Sequence, residues 1–275
     1  MTIFEAIIFG IVQGITEFLP ISSTAHIIIV ELLFGYNFPG LAFEIFLHIA
    51  SVFAVMFYFR QELWAVITGF LLYFREKNAE NRVQFLFGLY IIIATAITGG
   101  LGLILQSQVA EVMKTPPFIA AALLVTGTAL VFIERFKQYG NRREENMTFI
   151  DSILVGLAQT VSVLPGISRS GATVIAGLWL GLDRNTAVRY SFLLVIPVIL
   201  GSTVLAMGEM TSDFWFALGT GPLIISFIIS FVFSLIGIVW LIDFLKKGRL
   251  IYIAVYCYVL AIFVYLFVQE VPPTI

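Results

Sequence analysis

Charged residues and cysteine are both scarce in this 275-residue chain, and each scarcity excludes classes of protein. Only 12% of the residues are charged and 60% are hydrophobic, with a mean hydropathy of +1.03. An ordinary soluble domain has about 25% charged residues, so the chain is predicted to be an all-α polytopic membrane protein. The single cysteine, Cys257, excludes an internal disulfide and a cysteine metal site, and its apolar surroundings indicate packing.

Several functional motifs are also missing. The sequence has no Gly-rich nucleotide loop, no His-rich metal motif and no basic surface interleaved with aromatic residues, so no nucleic-acid partner is expected. The first twenty residues lack the basic start of a secretory signal and contain Glu5 and Glu17. We therefore interpret them as part of the mature protein.

Long apolar segments determine the predicted architecture. Two apolar regions, 3–35 and 149–182, are interrupted near their centres by Pro20 and Pro165 and the serines that follow. Broken backbone at membrane depth has to be buried in protein or line a cavity, so each region is predicted to be a re-entrant helical hairpin. Six uninterrupted segments have the roughly 20 residues that a helix needs to cross about 30 Å of hydrocarbon. These six predicted transmembrane helices are 41–60, 83–105, 117–134, 186–208, 219–243 and 251–268.

The positions of the basic residues favour this topology. Thirteen of the 15 fall in four loops, which share one side of the membrane if each hairpin returns to the side it entered. The positive-inside rule makes that side cytoplasmic. Lys114 and the loop 209–218 are then outside, and Arg169 lies within the second hairpin. The four basic loops are 60–82, 134–148, 183–189 and 244–250.

The two halves of the chain resemble each other. Residues 10–13 (GIVQ) match 156–159 (GLAQ) at a shift of 146, and 19–23 (LPISS) match 164–168 (LPGIS) at a shift of 145. Each half has one hairpin followed by three spans, an odd number, so the second half enters the membrane from the opposite side. The prediction is a single membrane domain, residues 1–275, made of two inverted-topology repeats at about 1–140 and 147–270.

Two polar turns, one in each hairpin, contain the candidate functional residues. Ser22 or Ser23 and Ser168 are placed to N-cap the helices that follow the two prolines, so two helix N-termini are expected to converge. Helix N-termini bind anions, phosphate above all, and Arg169 adds a planar cationic donor. The alternative for Arg169 is an ion pair that only neutralises Glu17.

Glu17, Ser23 and His26 are predicted to supply the chemistry. Gln13 and Glu17 share one helix face. Glu17 is close to the C-terminal end of its helix and needs a cationic neighbour, either Arg169 or a divalent metal ion. His26 follows Ser23 by three residues, so the hydroxyl and the imidazole are predicted to pair as nucleophile and base. In a rival mechanism, His26 or Glu17 activates water and Ser23 only binds phosphate.

Glu44 and His48 form a second polar pair on one face of the span 41–60. We interpret them as a polar patch or an interfacial pair near the outer end of that span, apart from the site.

The two polar turns resemble the motifs of the undecaprenyl-diphosphate phosphatase family, also called bacitracin-resistance proteins. Its members carry motifs similar to (Glu/Gln)-Gly-x-Thr-Glu-Phe-x-Pro-x-Ser-Ser-x-Gly-His and Pro-Gly-x-Ser-Arg-Ser-Gly-Ala-Thr. Here the motifs read QGITEFLPISSTAH and PGISRSGAT, and the resemblance extends over the whole chain. Ala25 stands where Gly is usual, and Gln13 stands where some members have Glu, which weakens a metal role at that position.

The resemblance implies hydrolysis of undecaprenyl (polyprenyl) diphosphate to the monophosphate carrier used in cell-wall synthesis, with a divalent cation, Mg²⁺ or Ca²⁺. The expected partners are the polyprenyl diphosphate and membrane lipid of the plasma membrane, with a homodimer left open. The alternative is a transporter or scramblase of a phosphorylated polyprenyl lipid, which would need no nucleophile and base. The resulting assignment is Ser23, His26 and Glu17 as catalytic residues, Glu17 also as metal ligand, and Arg169, Ser168, Ser170, Thr24, Ser22 and Gln13 as diphosphate-binding residues.

Overall fold

The computed structural model describes residues 1–36, 42–106, 115–136, 140–208, 216 and 218–268. Eleven α-helices and one short 3-10 helix (Glu144–Asn146) lie within these residues, and the same residues contain no β-strand. In chain order the α-helices are α1 (Ile3–Phe18), α2 (Ser23–Phe34), α3 (Ala42–Tyr58), α4 (Arg60–Leu72), α5 (Ala79–Gln106), α6 (Pro116–Phe136), α7 (Phe149–Val161), α8 (Arg169–Trp179), α9 (Arg184–Ala206), α10 (Thr220–Lys247) and α11 (Leu250–Phe267).

Five helices within the described residues, α5, α6, α9, α10 and α11, are long and apolar enough to cross a membrane. The pair α3 and α4 adds a sixth span only if the two count as one, because the chain bends by 79° between them. The all-α polytopic class predicted from composition is therefore confirmed. Lys114 and almost all of the loop 209–218 lie outside the described residues.

The segment 60–82 was predicted to be a loop, and this was wrong for its first half, which forms α4. The helix forms because its apolar residues recur at helical spacing. Val66 is buried against the core, whereas Trp64 and Leu71 on the other side are 68% and 64% exposed. An exposed apolar face of this kind suits a helix that contacts lipid.

The two apolar regions with central prolines are each broken into two short helices. Helices α1 and α2 have 16 and 12 residues, and α7 and α8 have 13 and 11. At 1.5 Å per residue, the longest of the four is about 24 Å long, less than the hydrocarbon core. Ser22 and Ser168 are the N-caps of α2 and α8, as predicted: their hydroxyls accept hydrogen bonds from Ala25 N and Gly171 N.

Helices from one half of the chain pack on helices from the other half. Helix α1 lies along α10, and its counterpart α7 lies along α5, so these two pairs are exchanged between the halves. The counterparts α6 and α11 pack on each other, as do α3 and α9. The α1–α10 contact is close: a Cβ added to Gly10 would lie 2.7 Å from Ser226 O, and one on Gly14 would lie 2.7 Å from Ser230 O. Small residues allow such close backbone contacts between membrane helices. This contact fixes α1, and with it the first polar turn, in the middle of the bundle.

Candidate active site

The two helix breaks touch each other beside a polar cavity. Ser170 Oγ at the start of α8 donates to the backbone carbonyl of Leu19, 3.4 Å away, and a Cβ on Gly171 would lie 3.0 Å from Pro20 Cβ. The cavity has a volume of about 190 Å³. The polar residues that line it are Glu17, Ser22, Ser23, Thr24, His48, Thr98, Gln159, Ser162, Ser168, Arg169 and Ser202.

Glu17 is the centre of the polar network and is only 4% exposed. Its Oε2 accepts hydrogen bonds from Gln13 Nε2 at 2.9 Å and from Ser23 Oγ at 2.7 Å. The same oxygen lies 3.0 Å from His48 Nε2, and Oε1 pairs with Arg169 Nη2. A buried carboxylate is costly unless it is paired. Gln13 contacts it from the shared helix face, and of the two cationic neighbours expected for it, Arg169 or a divalent metal ion, Arg169 is in contact.

His48 is held at both ring nitrogens. Its Nδ1 lies 2.5 Å from the backbone carbonyl oxygen of Glu44, and its Nε2 faces the Glu17 carboxylate. Arg169 pairs with the other carboxylate oxygen. Glu17 is thus held between an imidazole ring and a guanidinium.

His26 does not contact Ser23 in this structure. Its Nδ1 lies 2.8 Å from the Ser22 carbonyl oxygen and its Nε2 lies 2.7 Å from Tyr256 Oη. The imidazole also stacks on the Tyr256 ring, with the centroids 5.7 Å apart. Both ring nitrogens are therefore engaged away from the cavity, and the base nearest to Ser23 is the Glu17 carboxylate. The catalytic role of His26 stays a prediction.

Ser22 keeps the first turn in an uncommon backbone conformation. With φ at +66°, it is the only non-glycine residue of the described ranges in the left-handed region. Such a conformation costs about 1 to 3 kcal/mol and persists where the surroundings enforce it. Here the His26 ring binds the Ser22 carbonyl, and the Ser22 hydroxyl caps the third amide of α2. The first two amides of the helix, those of Ser23 and Thr24, have no intrahelical partner and are available to an anion.

The second turn repeats this arrangement without the strain. Ser168 caps α8 with its φ at −73°, and its hydroxyl also contacts Ser170 Oγ at 3.2 Å. Ser168 and Arg169 line the cavity, whereas Ser170 is buried and joins the two turns. From α7, Gln159 Nε2 donates to Thr98 Oγ1 at 3.0 Å, and its buried Oε1 has no hydrogen-bond partner among the described residues. The cavity thus offers two helix N-termini, a guanidinium and several uncharged donors.

The sequence of this chain matches a known protein family. The model of the family described as bacitracin resistance protein BacA matches residues 6–263. The chain belongs to the BacA family. It is 62% identical to undecaprenyl-diphosphatase 2 of Halalkalibacterium halodurans over 97% of this chain and 96% of the relative. It is also 50% identical to undecaprenyl-diphosphatase 1 of Shouchella clausii and 35% identical to undecaprenyl-diphosphatase of Oceanobacillus iheyensis, in both cases over 97% of each chain.

Membership of the BacA family fits the membrane architecture. The relatives are bacterial, and five long apolar helices lie within the described residues. The chain is therefore a multi-pass protein of the bacterial plasma membrane, as predicted. The family match spans both polar turns and also His48 on α3.

The metal ion that the family resemblance implies does not fit Glu17 in this arrangement. Both carboxylate oxygens already accept from donors, and one of these donors, Arg169, is cationic. A divalent cation needs free oxygens and would be repelled by the guanidinium. In the described part of the chain, no three His, Cys, Asp or Glu side chains lie together as metal ligands would.

Sequence analysis missed His48, Thr98 and Gln159 as members of the site. His48 was interpreted as peripheral, yet its Nε2 lies 3.0 Å from Glu17. A signal for His48 existed, because an ionisable residue in an apolar span marks a function by default. For Gln159 the signal was its match to Gln13 in the internal repeat, whereas Thr98 carries no signal within its own span.

Proposed function

We propose that the chain hydrolyses undecaprenyl diphosphate to undecaprenyl monophosphate and phosphate, and so recycles the lipid carrier of cell-wall polymers. The observation that carries this proposal is the cluster of Ser23, Glu17 and Arg169 in a polar cavity within an apolar helix bundle. Supporting it, the chain is 62% identical over nearly its whole length to a relative named undecaprenyl-diphosphatase. The chain is then a hydrolase that acts on a diphosphate anhydride.

The diphosphate head enters the cavity while the prenyl tail stays in the membrane. The phosphate oxygens replace Glu17 as the partner of Arg169 and accept from the free amides at the starts of α2 and α8. Ser168 and Thr24 line the same wall and add hydroxyl donors. Moving Arg169 from Glu17 to the substrate removes one positive neighbour from the carboxylate just when it has to accept a proton.

Ser23 is the proposed nucleophile and Glu17 its base. Ser23 Oγ attacks the terminal phosphorus, Glu17 Oε2 takes the hydroxyl proton, and the bond from that phosphorus to the bridging oxygen breaks, releasing the polyprenyl monophosphate. Water then attacks the phosphoserine, the bond from phosphorus to Ser23 Oγ breaks, the Glu17 carboxyl returns its proton to Oγ, and phosphate leaves. The 2.7 Å hydrogen bond from Ser23 to Glu17 supports this assignment. In the rival route, Glu17 activates water directly and Ser23 only binds phosphate.

The two histidines have different proposed roles. His48 donates to the same Glu17 oxygen that faces Ser23, so it fixes the orientation of the base. His26 acts as a positioning residue, because its ring holds the Ser22 carbonyl in the strained turn that presents Ser23.

The divalent cation, Mg²⁺ or Ca²⁺, is proposed to bind with the substrate. The oxygens of a diphosphate are the ligands that Mg²⁺ and Ca²⁺ prefer. Glu17, in contrast, is fully occupied by protein donors. The ion is thus expected to bind together with the lipid head and to leave the empty protein unchanged.

We also infer that the hairpins are re-entrant and that the two halves form an inverted repeat. The exchanged packing of α1 on α10 and α7 on α5 is the pattern that a twofold axis between the halves produces. Capping boxes open both α1 and α7, at Thr2 with Glu5 and at Thr148 with Asp151. The basic loops also meet at one end of the bundle: the loop around Arg142 bonds the segment 181–183, and Arg184 bonds the end of α10.

Cysteine labelling tests this topology. In a Cys257→Ser background, a cysteine placed at Asn141 is expected to react only with a reagent that reaches the cytoplasmic side. Labelling of Asn141→Cys from outside would contradict both the topology and the inverted repeat.

The hydrolytic function is tested with purified protein in detergent and undecaprenyl diphosphate as substrate. Wild type is expected to release phosphate, and Ser23→Ala to lose nearly all of this activity. Ser230→Ala, a buried serine change on α10 away from the cavity, is the matched control and should retain it. Wild-type protein that releases no phosphate but moves the lipid across a vesicle membrane would favour the transporter or scramblase alternative.

A further inference from the structure

A second cavity, of about 270 Å³, lies between the C-terminal ends of α3 and α10 and the N-terminal starts of α4 and α9. It is separate from the active site. Along α9, Val198 lines the active-site cavity and Val188 lines the second one. Ten residues of helix place the two about 15 Å apart.

Three cationic side chains, Arg184, Arg189 and Lys246, line this second cavity, against one carboxylate, Glu62. Protein contacts hold the two guanidinium groups. Arg189 pairs with Glu144 and lies 4.9 Å over the Phe87 ring, and Arg184 Nη1 donates to the Lys246 carbonyl at 3.1 Å. Positively charged groups that are fixed before a ligand arrives lose little freedom on binding it.

Part of this positive charge is not satisfied by the protein. Arg189 Nε is buried and has no hydrogen-bond partner in the described residues. Lys246 has no ion-pair partner in the same part of the chain, whereas its neighbour Lys247 pairs with Asp243 at 2.8 Å and does not line the cavity. The described lining of this cavity therefore has more cations than carboxylates and one buried donor without an acceptor, which points to an anionic ligand.

We propose that this cavity binds the phosphate of an anionic phospholipid headgroup. It lies at the end of the bundle where the basic loops meet, the end that the positive-inside rule assigns to the cytoplasm. Anionic lipids are enriched in that leaflet, and basic pockets between helices bind their headgroups. The helices beside the cavity carry exposed aromatic residues, Phe57 on α3 and Trp240 on α10, which suit the lipid interface. Binding here is independent of hydrolysis at Ser23.

The test uses the full chain in a neutral detergent with three probes: dioctanoyl phosphatidylglycerol, dioctanoyl phosphatidylcholine and inorganic phosphate. The shift of the thermal unfolding midpoint reports binding. Phosphatidylglycerol is expected to raise the midpoint in a saturable manner and phosphatidylcholine to leave it unchanged. Inorganic phosphate, a product that the proposed active site binds, is expected to shift wild type and Lys246→Gln equally and not to compete with phosphatidylglycerol. Lys246→Gln should weaken the phosphatidylglycerol affinity about fivefold, while Lys247→Gln should match wild type and Lys246→Arg should retain binding.

Three outcomes would overturn the inference. Equal losses from Lys246→Gln and Lys247→Gln would show dispersed surface charge and no built site. A shift with inorganic phosphate that competes with phosphatidylglycerol would assign the cavity to a soluble anion. The absence of any phosphatidylglycerol shift in wild type would remove the site altogether. Phosphate release from undecaprenyl diphosphate is expected to be unchanged in Lys246→Gln, so a failure here leaves the proposed hydrolysis intact.

Discussion

Replacing His48 separates the contribution of its hydrogen bond to Glu17 from that of the imidazole ring itself. His48→Ala removes a hydrogen bond to the carboxylate that serves as base. A hydrogen bond to a charged group contributes about 1.5 to 3 kcal/mol, and about 1.4 kcal/mol is tenfold in rate. We therefore expect kcat of His48→Ala to fall about 10- to 150-fold, because Glu17 loses the group that orients it towards Ser23.

His48→Gln is the informative companion variant. A glutamine amide can donate to the same Glu17 oxygen, so kcat is expected to stay within about tenfold of wild type. If the glutamine variant is as slow as the alanine variant, the imidazole ring contributes more than its hydrogen bond.

The assay is the initial rate of phosphate release from undecaprenyl diphosphate at saturating substrate. Ile45→Ala is the matched control, because Ile45 lines the same cavity one helical turn from His48 and contributes only volume. Thermal unfolding midpoints confirm that each variant is folded. A folded His48→Ala protein with wild-type kcat would refute the role of His48.

Three further predictions concern the substrate and its partners. Arg169→Ala is expected to abolish turnover and Arg169→Lys to restore it only partly, because a point charge replaces a two-pronged donor; near-native rates in the lysine variant would mean that charge alone suffices. In single-turnover measurements, the double variant Ser23→Ala, Glu17→Gln should be no slower than the slower of the two single variants. The reason is that the effects of hydrogen-bonded groups that act as a unit are not additive. Additive losses in rate would favour direct attack by water. EDTA is expected to stop turnover without changing the unfolding midpoint of the substrate-free protein, because no cluster of metal-ligand side chains is present among the described residues. A midpoint that falls with EDTA would reveal a resident ion.

Features of the two turns that depend only on residues close in sequence were predictable. Pro20 and Pro165 end the preceding helices because proline cannot continue them. Ser22 and Ser168 cap the next ones because a hydroxyl at that position reaches the third amide. Gln13 and Glu17 meet because they are four residues apart on one helix.

Contacts between distant helices were not predictable in the same way. His48 is 31 residues from Glu17, and nothing in its own span indicates which helix faces it. The three-residue spacing of Ser23 and His26 suggested a pair, but Tyr256 on the last helix binds the imidazole and Glu17 binds the hydroxyl. In both cases tertiary packing selected the partner.

The exchanged pairing of helices has a consequence for biogenesis. Helix α1 leaves the ribosome first, yet its close partner α10 begins more than 200 residues later, at Thr220. Until α10 is inserted, the glycine face of α1 has no permanent neighbour, and the carboxylate of Glu17 has no Arg169 until α8 has been made. The first half of the chain therefore has to wait in the membrane, loosely assembled, and the catalytic turn takes its final form only when the second half has been inserted.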